Sequence, residues 1–201
     1  RMNTNHCWQI NMIKAEKILG GDRLSLRPQH FQIQDTYHEQ RLNHTVRALV
    51  PYAYGIQKLK FDEVQLSTHI LALEEIEIIW QDGEIYRAPA QDLLPEPLLL
   101  DDLHLQGEMI VYLALPILQA NKKNIADETR ALSSRYHNYL SETHDLFTDA
   151  SPAELNFLRR RAEFKLLEQH IQPSQNLDGF LYLAVGKLKR QSSGHFELDA
   201  K

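Results

Sequence analysis

The chain has 201 residues, 43% of them hydrophobic and 24% charged, with a formal net charge of −5 and an isoelectric point near 6.1. This is the composition of an ordinary globular protein with room for a sizeable core, and its acidic balance argues against a nucleic-acid binder, which carries a basic surface and a high isoelectric point. The single cysteine, Cys7, excludes an internal disulfide framework and fits a reducing compartment, and no apolar run approaches the roughly 18 residues of a membrane span, so a soluble, cytoplasmic chain without a cleaved leader is expected.

Near the start, Trp8, Ile10 and Met12 alternate with polar positions as in a short strand, and Gly20-Gly21-Asp22 reads as a turn. A helix is expected from Pro28 to Leu49: proline suits the first helical position, the segment holds no glycine, and Pro51 ends it. Phe31, Tyr37, Leu42 and Val46 trace a one-sided apolar stripe along it, which predicts packing against the rest of the protein. Beyond residue 55 the period changes to two. Ile56, Leu59 and Phe61 read as a strand, and the runs on either side of Asp82-Gly83 read as a hairpin. Leu93 to Leu100, with Pro95 and Pro97, reads as an extended connection. Met109 to Pro116 reads as a strand buried on both faces, and residues 119–130 as a polar loop. Ser134 to Phe147 alternates in part, and Ala153 to Glu168 fits either period. Asp178-Gly179 and Ser192-Ser193-Gly194 mark the turns that bound two last strands. One long helix and about eight or more short strands predict a mainly β protein, an antiparallel β-sandwich or barrel.

The search for chemistry returns little. His30 and His38, with Gln34 between them, fall near one helix face, but His38-Glu39 lacks the second histidine of a zinc-protease box, since position 42 is Leu42. A catalytic zinc needs three converging ligands, and no such set stands out. Glu74, Glu75 and Glu77 form an acidic cluster that a solvated sheet face explains. Three consecutive arginines, Arg159 to Arg161, cannot all share one face and are expected to be solvated or to meet an acidic partner. There is no nucleophile elbow and no phosphate loop. Neither catalysis nor a cofactor is expected. A carbohydrate- or receptor-binding sandwich and a histidine-dependent metalloenzyme remain as alternatives, separable by a glycan screen and a metal analysis.

One stretch is more specific than composition. Leu24 to Tyr37, running Leu-Ser-Leu-Arg-Pro-Gln-His-Phe-Gln-Ile-Gln-Asp-Thr-Tyr, resembles the signature near the start of the TssK proteins of type VI secretion. The likeness continues in order through Pro51 to Gly55, Phe61-Asp62-Glu63, Asp82-Gly83, Leu93 to Leu98, Tyr112 to Pro116, Arg135-Tyr136, Asp145-Leu146 and the Leu155 to Leu167 segment, and it covers nearly all of residues 18–199. Two departures are a Gly20 where the family commonly has Trp, and an opening of residues 1–17 that is longer than usual.

The resemblance implies an N-terminal β-sandwich "shoulder" over residues 18–201, similar to a domain of phage receptor-binding proteins, with residues 1–17 as an extension. It also settles 153–168 as strand. It implies a homotrimeric structural adaptor of the secretion baseplate, docking on the TssF–TssG wedge from the cytoplasmic side of the inner membrane. The neck and head, through which such proteins reach TssL and TssM, would lie beyond this chain. Within the signature, Pro28, Gln29, His30, Phe31, Gln32, Gln34, His38 and Gln40 are the candidate partner surface, with Gln29, Gln32, His38 and Gln40 on the polar side of the helix. Capping and bracing of the helix start by Gln29 and His30 is the competing reading.

Overall fold

A computed structural model describes residues 15–19, 25–103, 107–119, 123–126 and 134–200. The strand expected around Trp8 to Met12 and the Gly20-Gly21-Asp22 turn lie outside the described residues.

Helix α1 spans Pro28–Leu49, as the proline and the missing glycines predict. Its entry is braced locally: the Arg27 amide donates to His30 Nδ1 at 3.1 Å. Strand β1 (Gly55–Phe61) follows, then a short helix α2 (Glu63–Ser67) capped by the Asp62 carboxylate, and a two-residue strand β2 (Ile70–Leu71). The hairpin around Asp82-Gly83 is present as β3 (Leu73–Ile79) and β4 (Ile85–Ala88), paired Ile79 to Ile85. Gly83 supplies the φ of +90° that the turn demands and that a side chain would resist. Inside the expected extended connection sits one more short strand, β5 (Leu98–Leu99), paired with β2. Next come β6 (Glu108–Pro116), β7 (Tyr136–Thr143), β8 (Ala153–Arg160) and β9 (Glu163–Glu168), so the ambiguous 153–168 run is two strands. A helical turn α3 (Pro173–Asn176) leads to β10 (Phe180–Arg190) and β11 (Phe196–Ala200).

Two sheets carry the core. One is antiparallel in the order β1-β3-β4, the other in the order β11-β10-β6-β9. Their inner faces meet through Ile76, Ile78, Trp80 and Tyr86 on one side and Val111, Leu113, Leu115 and Val185 on the other. Each such side chain stabilises the fold by roughly 1.5–3 kcal/mol. This is the mainly β, antiparallel sandwich with one long helix that the pattern predicts.

In β10 the inward set changes parity. Leu181, Leu183 and Val185 point one way, then Gly186 and Leu188 continue it after a register shift between Ala184 and Gly186. A single bulge flips every later side chain, which keeps the apolar residues inside. Gly186 is needed there, because a Cβ would stand 2.9 Å from the Asp199 carbonyl oxygen.

Strand β6 departs from its expected burial on both faces. Met109, Val111 and Leu113 are buried while Ile110 and Tyr112 are only partly so, and full burial is confined to Leu113–Pro116. Its neighbours β10 and β9 run antiparallel to it, so one face of its first half looks outward.

The largest departure concerns α1. None of its residues is buried. The side turned toward the sandwich is half-buried and mostly polar: Ile33, Thr36, Tyr37, Gln40, Asn43 and Arg47. Phe31, Leu42, Val46 and Leu49 lie on the opposite side and are exposed, Leu42 at 65% and Leu49 at 79%. Phe31 and Leu49 stand five turns of about 3.6 residues apart, so they share one line along the helix. Of the predicted stripe, only Tyr37 faces inward. The physical reason is the surface that α1 meets: the polar β3–β4 turn, which Gln40 and Asn43 can answer and leucines cannot.

Candidate functional site

Three elements converge at the β3–β4 turn: α1, the turn itself, and the base of the β7–β8 hairpin. Asn43 Nδ2 of α1 donates to the Asp82 carbonyl at 2.9 Å. Gly83 lies so close beneath that an added Cβ would come within 2.3 Å of the Asn43 side chain.

Arg135 ties the turn to the hairpin base. It is 2% exposed; its Nη2 meets the Asp82 carboxylate at 2.6 Å and its Nη1 donates to the Pro116 carbonyl at 2.9 Å. Burial works against its charge, and the carboxylate of Asp82, followed by Tyr136 and Glu84, outweighs burial and holds the guanidinium pKa above its ordinary value. Arg160, on the strand paired with β7, contacts both Glu84 and Asp92. Asp92 is itself buried and accepts from the amides of Arg87 at 3.1 Å and Arg160 at 2.8 Å. A two-stranded hairpin is marginal alone in water; here the charged junction fixes its base, while the Tyr139 and Phe157 rings stack across it at 5.4 Å with Arg159 over Tyr139 at 3.9 Å.

Of the three consecutive arginines, two meet acidic partners, as one of the two readings expected, and those partners belong to the same chain. Arg159 covers a tyrosine, Arg160 joins the junction, and Arg161 pairs with Glu96. The acidic cluster on β3 is likewise spoken for by strand neighbours: Glu75 pairs with Lys58, Glu74 with Lys60, and Glu77 with Arg87.

Between α1 and the turn opens a cleft of about 380 Å3. Its walls include Leu42, Ile85, Ile117 and Leu118, and its charged rim holds Glu39, Glu84 and Arg160. Asp82 is matched by Arg135, and Glu84 by Arg160. Glu39 forms no hydrogen bond or ion pair among the described residues. Its carboxyl pKa is raised, first by burial, then by the negative charge of Glu84, with Arg160 opposing and Asp35 and Asp82 adding to the rise.

The hairpin ends in a loop that presents apolar side chains to water. Leu146 is 86% exposed and Phe147 93% exposed. The loop is nevertheless ordered by its own backbone: Asp145 Oδ1 accepts from the amides of Phe147 at 2.7 Å and Thr148 at 2.9 Å, and these bonds hold the Asp145 carboxyl below its ordinary pKa.

Of the sequence-derived candidates, Pro28 opens α1, His30 braces its start, and Gln29, Phe31, Gln32, Gln34 and His38 lie exposed along it. Gln40 turns toward the chain's own body, where it accepts from the Ala15 amide at 3.4 Å. Among the described residues no three histidine, cysteine or carboxylate side chains converge as metal ligands, and no helix is long and apolar enough to cross a membrane. Sequence reasoning missed the cleft and the apolar loop tip. The tip had a visible signal, two large apolar residues beside an aspartate in a short polar connection.

Comparison with known proteins gives a consistent set of matches. A family model described as bacterial type VI secretion, VC_A0110, EvfL, ImpJ, VasE matches residues 30–201. The type VI secretion system baseplate component TssK1 of Pseudomonas aeruginosa is 32% identical over 130 residues, which are 64% of this chain and 29% of that protein. A chain in a cryo-electron microscopy structure of the TssK-TssF-TssG baseplate subcomplex shares the fold with a TM-score of 0.80, at 22% identity over 94% of this chain and 61% of that one. A crystal structure of TssK matches with a TM-score of 0.78 at 27% identity, over 92% of this chain and 41% of that one. The chain thus spans under a third of its curated relative.

Proposed function

Because the chain belongs to the bacterial type VI secretion family that these matches define, in which TssK1 is a baseplate component, we propose that it is the assembly domain of a baseplate adaptor. In this reading it associates with its own copies as a homotrimer and docks on a TssF–TssG wedge in the cytoplasm, at the face of the inner membrane. Its work is adhesion rather than catalysis.

The observation that supports the reading best is the orientation of α1. A helix that turns Gln40 and Asn43 to its own chain and Phe31, Leu42, Val46 and Leu49 outward has an unfinished surface. Apolar anchors at such helical spacing are how a helix seats in a partner's groove or against a like helix. The exposed polar residues nearer to them, Gln32 and His38, would give that contact its specificity. The TssK-TssF-TssG subcomplex provides the partner class: a protein of this fold assembled with those two subunits.

The test is co-expression of the chain with TssF and TssG from the same source, capture through a tag on the chain, and light scattering on the eluate. Capture of both proteins by a trimer supports the adaptor reading. A monodisperse monomer that captures neither refutes it. Charge reversal at Gln32 and His38 should weaken capture; full retention would move the contact off this face of the helix.

A further inference from the structure

Strands β7 and β8 form a two-stranded sheet apart from the two sheets of the sandwich. Among the described residues, the outer edges of this ribbon are paired only at its base. There the Tyr136 amide donates to the Asn124 carbonyl at 2.9 Å, and the Tyr136 carbonyl accepts from the Ala126 amide at 2.8 Å. On the other edge the Arg160 amide donates to Asp92 Oδ1 at 2.8 Å, and its carbonyl accepts from the Leu93 amide at 2.9 Å. Tyr136 and Arg160 stand opposite each other, and both turn their backbone groups outward. The register runs unbroken from this pair to Thr143 and Ala153, and antiparallel pairing alternates inward and outward groups. The amides and carbonyls of Leu158, Asn156 and Glu154 therefore face outward along β8, with no backbone partner among the described residues. Edge strands are commonly guarded by lysine, proline or a bulge. Strand β1 has such guards in Lys58, Lys60 and two register shifts, whereas residues 153–158 have none.

The side chains beside this edge carry a second observation. Glu142 lies directly opposite Glu154, in the class of antiparallel pair whose side chains approach closest. Like charges so placed are destabilising. No lysine or arginine occurs between Arg135 and Arg159, and neither carboxylate makes an ion pair among the described residues. Toward the base on the same face come Leu140, 56% exposed, and Leu158, 50% exposed. One face thus runs from an uncompensated acidic pair near the tip to two exposed leucines.

We propose that β8 is a docking edge for an extended, cationic segment of a partner protein, which adds to the ribbon as a third strand antiparallel to β8. Main-chain bonds to the three free amides and three free carbonyls supply the attachment, and the side chains supply the selection. Running in that direction, the added strand meets Leu158 first, then Asn156, then Glu154. Its matching sequence has an apolar residue, a polar residue and a lysine or arginine at alternate positions. A basic side chain opposite Glu154 is long enough to serve Glu142 as well, which turns a like-charge contact into a shared attraction. A third strand also gives the ribbon what a lone hairpin lacks. This edge is separate from α1, and the proposal requires neither a trimer nor a wedge.

The experiment follows backbone amide signals of the isotope-labelled chain during titration with acetyl-Thr-Val-Thr-Thr-Thr-Lys-Thr-amide. Two comparison peptides carry glutamate in place of lysine, or an N-methyl group on the central threonine. The amides of Glu154, Asn156 and Leu158 should shift with a midpoint of about 0.1–1 mM, and at saturation their exchange with solvent should slow about tenfold. Either comparison peptide should bind about tenfold more weakly. Glu142→Lys with Glu154→Lys, both at exposed positions, should reverse the order of the lysine and glutamate peptides while circular dichroism stays unchanged. Equal binding of the three peptides, an unreversed order in the double variant, or unmoved 154–158 amides at about 10 mM peptide would each overturn the proposal. Protection of these amides before peptide is added, in a chain of dimeric mass, would give the edge to a second copy and equally overturn it. TssF and TssG play no part in this titration, so its failure and a failure of wedge capture are told apart.

Discussion

Replacing Arg135 by methionine should destabilise the chain more than any surface change nearby. The guanidinium is 2% exposed and serves two partners at once, Asp82 at 2.6 Å and the Pro116 carbonyl at 2.9 Å. Methionine fills much of the volume but donates nothing. Asp82, whose side chain is 16% exposed, would keep the Glu84 amide at 3.1 Å and lose its cation. Truncating one member of a buried pair costs about 3–5 kcal/mol; the residual access of Asp82 to water places this case near the lower end, about 3 kcal/mol. For a chain of this length each kcal/mol moves the midpoint by about 2–4 °C, so thermal unfolding followed by circular dichroism at neutral pH should show a fall of about 6–12 °C. A double-mutant cycle with Asp82→Asn supplies the sharper check. The pair should be less damaging than the sum of the singles by about 1–3 kcal/mol, because the second change removes the charge that the first left unpaired. A fall under about 3 °C, or strictly additive singles, would refute the junction as the point that holds the hairpin base to the sandwich.

Four further outcomes are expected. Leu146→Asp with Phe147→Asp should leave the unfolding temperature within about 1 °C, since both side chains already stand in water, and should reduce TssF–TssG capture at least tenfold if the tip is an anchor; unchanged capture would place docking elsewhere. Leu42→Ser with Leu49→Ser should lower the mass seen by light scattering while the fold remains intact by circular dichroism, and an unaltered mass would dissociate the apolar stripe from self-association. Gly83→Ala should cost about 1 kcal/mol or more, because φ is +90° and the new methyl meets Asn43, and denaturant unfolding would show it. Glu39→Gln should raise the midpoint at neutral pH by about 1–2 °C. The sign follows from the raised carboxyl pKa: the folded chain holds this proton more tightly than the unfolded one, so wild-type stability falls as pH rises from the unfolded value through the folded one. That downward contribution to the slope should vanish in the variant.

The sandwich was legible because its signals are local and strong. Asp82-Gly83, Asp178-Gly179 and Ser192-Ser193-Gly194 are turns whose glycines carry the positive φ the backbone requires, and alternation between them gives the strands. The 153–168 run was ambiguous because its first strand, β8, is exposed along most of its length, so burial never imposed a period of two on it. What spacing could not reveal is convergence. Asp82, Pro116 and Arg135 each sit in segments that resemble the family, yet only the fold shows that one guanidinium bonds the other two. Arg160 was visible only as the middle of a basic triplet, and its two acidic partners lie 68 and 76 residues earlier in the chain.

The helix shows a different kind of limit. Its apolar residues recur on one side, and that periodicity correctly demands a partner of low polarity. It does not say whether the partner belongs to the same chain. Burying Leu42 and Leu49 against the sandwich would have required the β3–β4 turn to be apolar, whereas Asp82, Gly83 and Glu84 occupy it and Arg135 and Arg160 are committed to them. A leucine placed there would desolvate carboxylates and guanidinium groups without replacing their hydrogen bonds, at a cost of at least 1–3 kcal/mol for each polar group stranded. Asn43 instead bonds the Asp82 carbonyl and fits the space that Gly83 leaves open. The same residues that make the turn stable thus dictate that the helix present its polar side inward and leave its apolar side uncovered by its own chain.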